Sequence, residues 1–161
     1  MKTFRHAAAA AFLLALLPGS SAAWAAEQAG GFVAVTPAQL KWTDAPGIGP
    51  GVKIAIIEGD LKAAGPVTFR IKVPPDTKIP VHTHPLVEHV TVLSGMFYFA
   101  IGDKYDVAKA KAYSTGSALV IPTGVPMFAF TKDKESMIQV HSIGPWGIHY
   151  LNPDEAPGKK K

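Results

Sequence analysis

PDTKIPVHTHPLVEHVTVLSG, at residues 75–95, carries more structural information than any other segment of this 161-residue chain. It predicts one short strand that ends near His84, a corner at Pro85, and a second strand that begins at Glu88. Because side chains alternate along a strand, His82 and His84 share one face. The corner returns the Glu88 carboxylate to the same place. Two imidazoles and one carboxylate at this spacing predict a divalent metal site with open coordination positions.

Strand-like segments continue on both sides of residues 75–95. The clearest is residues 67–73, where apolar and polar residues alternate strictly, as in a strand with one buried face. Further candidates are residues 52–57, 88–93, 96–101, 118–121, 127–131 and 137–142. Turn residues separate them about every ten positions, and only Asp106 to Ala112 is a candidate helix. This pattern predicts an all-β fold, an antiparallel β-barrel or jelly roll; a metal-free sandwich is the alternative.

The first 25 residues have the features of a cleavable secretory signal peptide. Lys2 and Arg5 precede an eleven-residue apolar run, and Ala23-Trp24-Ala25 offers small residues for cleavage. The apolar run is too short to cross a membrane core of roughly 30 Å. We therefore expect an exported protein, periplasmic or extracellular, with no membrane attachment after cleavage.

The rest of the chain is long enough for one domain. We expect a lead-in segment over residues 26–50, in which Thr36-Pro37 begins a single helical turn. A β-barrel domain over 51–152 and a basic tail over 153–161 follow. Without Lys2 and Arg5 the chain has 14 basic and 12 acidic residues, so nucleic acid is not an expected partner. The absence of cysteine excludes disulfides and thiolate metal ligands.

The segment from Pro75 to Gly95 resembles the first motif of the cupin superfamily. A second motif is visible as Gly116, five further residues, and then residues 122–126. The ending over residues 139–148 is similar to that of small single-domain bacterial cupins. The resemblance implies a jelly roll of about six to eight strands, ligands held in its interior, and commonly a homodimer.

The resemblance also implies a metal site formed by His82, His84 and Glu88. These donors suit a divalent transition metal: Fe, Mn, Zn, Ni or Cu. Met127 stands where cupins usually place a fourth ligand, a histidine. A thioether is a soft ligand suited to Cu(I), and methionine is also a flexible apolar filler, so both roles stay open for Met127.

Two other side chains are candidates for the same cavity. His141 is a possible substitute for the missing histidine if its face of the strand is the interior one. Tyr98 is a candidate pocket residue whose hydroxyl could orient a substrate. Phe97, Tyr98 and Phe99 share one strand, so alternation sends Tyr98 to the face opposite its two neighbours.

Two functions from different classes fit these features. The first is a metal-dependent, dioxygenase-like enzyme acting on a small organic substrate, since two histidines and one carboxylate are the ligand set of non-haem Fe(II) oxygenases. The alternative is a non-catalytic module that binds a metal or a small ligand. Met127 favours this alternative, because loss of a usual ligand is a simple route to an inactive cupin. No catalytic acid or base stands out.

Overall fold

The structure, a computed structural model, describes residues 31–158. The predicted signal peptide at 1–25, the first lead-in residues and the lysines at 159–161 lie outside this range. Within it the chain forms eleven strands. They are β1 (Thr43–Asp44), β2 (Lys53–Glu58), β3 (Gly65–Val73), β4 (Lys78–Thr83), β5 (Glu88–Ser94), β6 (Met96–Ile101), β7 (Lys111–Ser114), β8 (Ala118–Ile121), β9 (Met127–Phe130), β10 (Ser136–Gly144) and β11 (His149–Tyr150).

The strands form two antiparallel sheets. The six-stranded sheet has the order β1-β2-β3-β10-β5-β8, and the five-stranded sheet has the order β11-β4-β9-β6-β7. The corner at Pro85 joins β4 to β5, and these two strands belong to different sheets. The corner therefore carries the chain from one sheet to the other. This arrangement confirms the predicted antiparallel jelly roll.

Apolar side chains from both sheets fill the space between them. In β3, Val67, Phe69, Ile71 and Val73 are all buried, while the residues between them are more exposed. Complete burial of such a side chain contributes about 1.5–3 kcal/mol. The strict alternation in the sequence thus sets which face of β3 meets the core.

Gly95 closes the first motif for a steric reason. It joins β5 to β6 with φ +76°, a conformation that favours glycine. A Cβ at this position would lie 2.2 Å from the backbone oxygen of Glu135, closer than any real contact. A larger residue would therefore displace the turn that connects the two sheets.

The candidate helix at Asp106 to Ala112 is wrong. The structure has one 3-10 turn at Val107–Lys109, in which the Asp106 carboxylate accepts a hydrogen bond from the backbone N–H of Ala108 at 3.1 Å. The chain then pairs with β6 as strand β7. No helix within residues 31–158 is long and apolar enough to span a membrane.

The described part of the lead-in is joined to the barrel. The predicted turn after Thr36 is present as a 3-10 turn at Pro37–Gln39, where the Gln39 side chain accepts from the Thr36 backbone N–H at 2.7 Å. Strand β1 pairs with β2, and Ile48 is buried against the core. These residues therefore contribute to the domain that was predicted to begin at residue 51.

Candidate metal centre

A cavity lies between the two sheets beside the end of β4. Its wall is mostly aliphatic and aromatic, with three ionisable side chains among the residues that line it: His82, His84 and Glu88. All three are buried, with 5%, 5% and 4% of their surfaces exposed. The corner at Pro85 therefore brings the three predicted ligands into one cavity.

Each histidine has one ring nitrogen engaged by a backbone carbonyl. His82 Nδ1 donates to the oxygen of Pro80 at 2.7 Å, and His84 Nδ1 donates to the oxygen of Gly147 at 2.6 Å. A carbonyl only accepts, so the proton of each neutral ring lies on Nδ1. Each Nε2 then carries a lone pair, which is the protonation state of a metal-ligating histidine.

Glu88 begins β5, and its two carboxylate oxygens have different neighbours. The Trp146 indole N–H donates to Oε1, while Oε2 lies 3.3 Å from His84 Nε2. Adjacent ligand atoms that are each about 2.0–2.2 Å from one ion lie roughly 3–3.5 Å apart. The rings of His82 and His84 have centroids 4.9 Å apart. The donor atoms thus match a divalent transition metal in type and tautomer, and the spacing of His84 Nε2 and Glu88 Oε2 suits two ligands of one ion.

As they are positioned in this structure, His82, His84 and Glu88 do not form a complete coordination site. Over residues 31–158, no group of three or more histidine, aspartate or glutamate side chains is arranged so that it could hold a metal ion. Every buried side-chain nitrogen or oxygen in the same range has a hydrogen-bond partner. The hydrogen-bonding groups of these side chains are therefore satisfied without a metal. Coordination of one ion by all three side chains requires that they rearrange.

Burial shifts the titration of all three groups toward their neutral forms. It lowers the pKa of His82 to about 4, with the neighbouring His84 adding to the shift. It also lowers the pKa of His84 to about 4, against the effect of the Gly147 carbonyl. Burial raises the pKa of Glu88 to about 7, against the effect of the Trp146 hydrogen bond. Near neutral pH, two uncharged imidazoles therefore face a half-protonated carboxyl group.

Met127 lies beside the histidines. It is opposite His82 in the pairing of β9 with β4, is 1% exposed and lines the cavity. Directly opposed residues in a sheet have Cβ atoms about 4.5–5.5 Å apart. The thioether is therefore a neighbour of the candidate ligands, where it either joins them or fills space.

His141 is not in the cavity, and its predicted role as a substitute ligand is wrong. Val140 and Ser142 are buried while His141 is exposed, so β10 directs the histidine to the outer face of the six-stranded sheet. There its Nδ1 is 2.9 Å from the Thr68 hydroxyl. Its cross-strand neighbour is His89, and the two rings have centroids 6.4 Å apart.

Tyr98 is not a pocket residue either. Phe97 and Phe99 take the interior face of β6 and line the cavity, so alternation directs Tyr98 to the other side of the five-stranded sheet. Its ring stacks on Phe130 with centroids 4.9 Å apart, and Lys132 Nζ lies 4.5 Å from its centroid. A second cluster of apolar residues thus covers the outer face of this sheet.

Solved structures with the same architecture decide the fold. The chain superposes on the polyketide cyclase RemF from Streptomyces resistomycificus with a TM-score of 0.65, over 78% of this chain and 89% of that protein, at 19% identity. It superposes on an RmlC-like cupin from Shewanella frigidimarina with a TM-score of 0.54, over 68% and 87%, at 16% identity. The fold is that of the cupins. The predicted resemblance is confirmed at this level.

A further cupin neighbour is a conserved barrel domain protein of the cupin 2 type from Rhodopseudomonas palustris, with a TM-score of 0.56 over 75% of this chain and 86% of that one, at 12% identity. No protein-family model matches the chain, and no curated protein matches it. The structural neighbours include an enzyme, the polyketide cyclase. At these identities the likeness establishes the cupin fold and leaves the chemistry to this chain's own residues.

Trp146 lines the cavity and the Gly147 carbonyl contacts His84, whereas the sequence indicates only that residues 145–147 cap either the barrel mouth or a dimer seam. The residues lie far from the first motif along the chain, and a Pro-Trp-Gly sequence is also typical of an ordinary surface turn. One signal was available: an indole N–H that packs against the protein needs an acceptor, and Glu88 was the acidic residue predicted to be inside. That pairing depends on a contact between residues 58 positions apart.

Proposed function

We propose that this cupin binds a divalent transition metal through His82, His84 and Glu88 and acts on a small organic molecule beside it. The observation that carries the proposal is the pair of carbonyl contacts to Nδ1 of both histidines. These contacts leave a lone pair on Nε2 of each histidine, in the buried cavity that also contains the Glu88 carboxylate. A bound ion would supply Lewis-acid or redox chemistry there, and the donor set favours a dioxygenase-like role.

The cavity indicates the chemical class of the substrate. The cavity has a volume of about 40 Å³, which is room for a few water molecules or a ligand of similar size. Among the described residues, no lysine or arginine lines it. A large anion would lose its hydration and find no cationic side chain in the wall, so that only the metal could balance its charge. We therefore propose a small, uncharged and largely apolar substrate.

A non-catalytic binding module is the second candidate. One observation favours it: within residues 31–158, the ionisable side chains that line the cavity are the three candidate ligands themselves. A reaction that needs a separate general acid or base would find none in this lining. Binding of a metal with a small neutral ligand needs no such group.

Two further proposals concern the setting of the protein. We propose export to the periplasm or the extracellular space, supported by the signal-like features of residues 1–25. We also propose a homodimer, supported by the cupin resemblance. Cell fractionation tests the first proposal, and the molar mass in solution tests the second.

Metal analysis of protein purified without chelators tests the metal site. We expect stoichiometric metal in the wild type and in Glu58→Gln, which removes an exposed carboxylate at the end of β2. Glu88→Gln should lose most of the metal. Equal metal content in all three proteins would overturn the proposal.

Oxygen uptake with small uncharged organic compounds then separates the two functions. Turnover that Glu88→Gln abolishes and Glu58→Gln preserves would establish the enzyme. Ligand binding to the metal-loaded protein without turnover would establish the binding module.

A further inference from the structure

Residues 145–148, here called the strap, follow β10 and run beside the cavity. Two of its four side chains, Trp146 and Ile148, line the cavity wall. We infer that Trp146 is a positioning residue: its indole holds one oxygen of Glu88 so that this carboxylate binds a metal through the other oxygen alone. This inference rests on the proposed metal site and names the element that orients it.

The two carboxylate oxygens of Glu88 show the basis of the inference. Trp146 Nε1–H donates to Oε1, and Oε2 points toward His84 Nε2 at 3.3 Å. A carboxylate oxygen has two lone pairs, and the indole N–H occupies one of those on Oε1, so an ion has freer access to Oε2 than to Oε1. The geometry therefore favours Oε2 as the metal-binding oxygen and Glu88 as a monodentate ligand.

The strap holds a second candidate ligand as well. The carbonyl of Gly147 accepts from His84 Nδ1 at 2.6 Å. The Trp146 ring stacks on the His84 ring, with centroids 5.4 Å apart and planes inclined by 26°. One short segment thus sets the tautomer and orientation of His84 together with the orientation of Glu88. Outer contacts of this kind govern how well first-sphere ligands bind a metal.

The strap is itself fixed by the barrel. The Trp146 backbone N–H donates to the carbonyl of Leu61 at 2.7 Å. The edge of the indole packs against Phe69 with centroids 4.9 Å apart, and Phe69 is fully buried in β3. The position of the indole is therefore set by the core and by the turn between β2 and β3. A fixed element thus holds Glu88 Oε1 in the metal-free protein.

Trp146→Phe tests this role, because phenylalanine keeps an aromatic ring against His84 and Phe69 and removes the N–H donor. The matched control is Trp42→Phe, since the Trp42 ring lies under Lys72 Nζ at 4.4 Å and does not line the cavity. We expect Zn²⁺ affinity, measured by competition with a chelating dye, to fall about 10–100-fold in Trp146→Phe. It should stay within about twofold of the wild type in Trp42→Phe.

The binding mode of the carboxylate provides a readout that a general loss of packing would not change. In Zn²⁺-loaded protein with labelled glutamate carboxyl groups, the infrared difference spectrum distinguishes monodentate from bidentate carboxylate. We expect monodentate Glu88 in the wild type and in Trp42→Phe, and a bidentate or mixed mode in Trp146→Phe. Unchanged affinity together with an unchanged carboxylate mode in Trp146→Phe would overturn the inference.

The metal affinity of the wild type and a measurement on its indole N–H separate the remaining outcomes. A wild type that binds no Zn²⁺ would refute the proposed function. A wild type and a Trp146→Phe variant with the same affinity and the same carboxylate mode would refute only the positioning role. If Trp146→Phe does not fold, the indole N–H resonance of the wild type is followed during Zn²⁺ titration. Retention of a strongly hydrogen-bonded, slowly exchanging proton supports the inference, and its release to solvent overturns it.

Discussion

The cupin barrel contains two pairs of neighbouring histidines in different surroundings. His82 and His84 are buried in the cavity, each with Nδ1 on a carbonyl. His89 and His141 lie across from each other on the exposed face of the six-stranded sheet. The inner rings have centroids 4.9 Å apart and the outer rings 6.4 Å apart. The comparison shows that proximity of histidines alone does not define a metal site.

A single position along β5 separates the two environments. Glu88 points into the cavity and His89 points to the surface, as strand alternation requires. The outer pair also has polar partners, since Thr68 contacts both His141 and the Glu58 carboxylate at 2.9 and 3.0 Å. Water competes for every one of those groups. In the cavity, burial removes that competition and leaves fixed donors that an ion would share.

The first prediction sets the two pairs against each other. We expect His82→Ala/His84→Ala to lower Zn²⁺ affinity by more than about 100-fold, because changes to outer contacts alone cost about 10–100-fold. His89→Ala/His141→Ala should change the affinity less than about threefold. Isothermal titration of both double variants gives the answer. Equal losses in the two variants would remove the distinction between buried and exposed pairs.

Which features of the fold and of the candidate site can be predicted from the sequence depends on how far apart the contacting residues are along the chain. The placement of His82, His84 and Glu88 in one cavity follows from a seven-residue segment with period two and one corner. Local rules suffice there, because strand alternation and the break at Pro85 involve only adjacent residues. The roles of these side chains as ligands stay a proposal.

The remaining features depend on long-range register. The sequence of β10, the strand that contains His141, does not show which of its two faces is interior. Only the pairing of β10 with β3 and β5 shows that Val140 is inside. Alternation puts Tyr98 opposite Phe97 and Phe99, and only the pairing of β6 with β7 and β9 shows that these two phenylalanines are inside. Trp146 meets Glu88 because β10 crosses the sheet before the strap begins. No local pattern encodes that meeting.

The second prediction uses the titration of His82, His84 and Glu88 in metal-free protein. Burial lowers the pKa of His82 and His84 from 6.5 to about 4, so the unfolded chain binds more protons between these values and stability falls as pH falls. Burial raises the pKa of Glu88 from 4.5 to about 7, so its contribution is lost as pH rises through that range. Two histidines outweigh one carboxyl group by about one proton.

The expected outcome is a rise in the unfolding free energy of about 2 kcal/mol between pH 4.5 and 6.5, at roughly 1.4 kcal/mol per proton and pH unit. Urea denaturation in the presence of a chelator measures it. In His82→Ala/His84→Ala only Glu88 remains, so the contribution of the site should decrease with rising pH. A wild-type slope in the inner variant would show that the buried rings do not titrate as proposed.

The third and smallest expected effect concerns Met127, which separates the inner pair from a four-ligand cupin site. Met127→His places an imidazole opposite His82 in a position that is 1% exposed. We expect about tenfold tighter Zn²⁺ binding, since imidazole suits this ion better than a thioether. Met96→His, at a position 36% exposed, is the control and should leave the affinity unchanged. If Met127→His binds Zn²⁺ with the same affinity as the wild type, residue 127 only lines the cavity. Glu88 is then the only further donor that joins His82 and His84 at the proposed site.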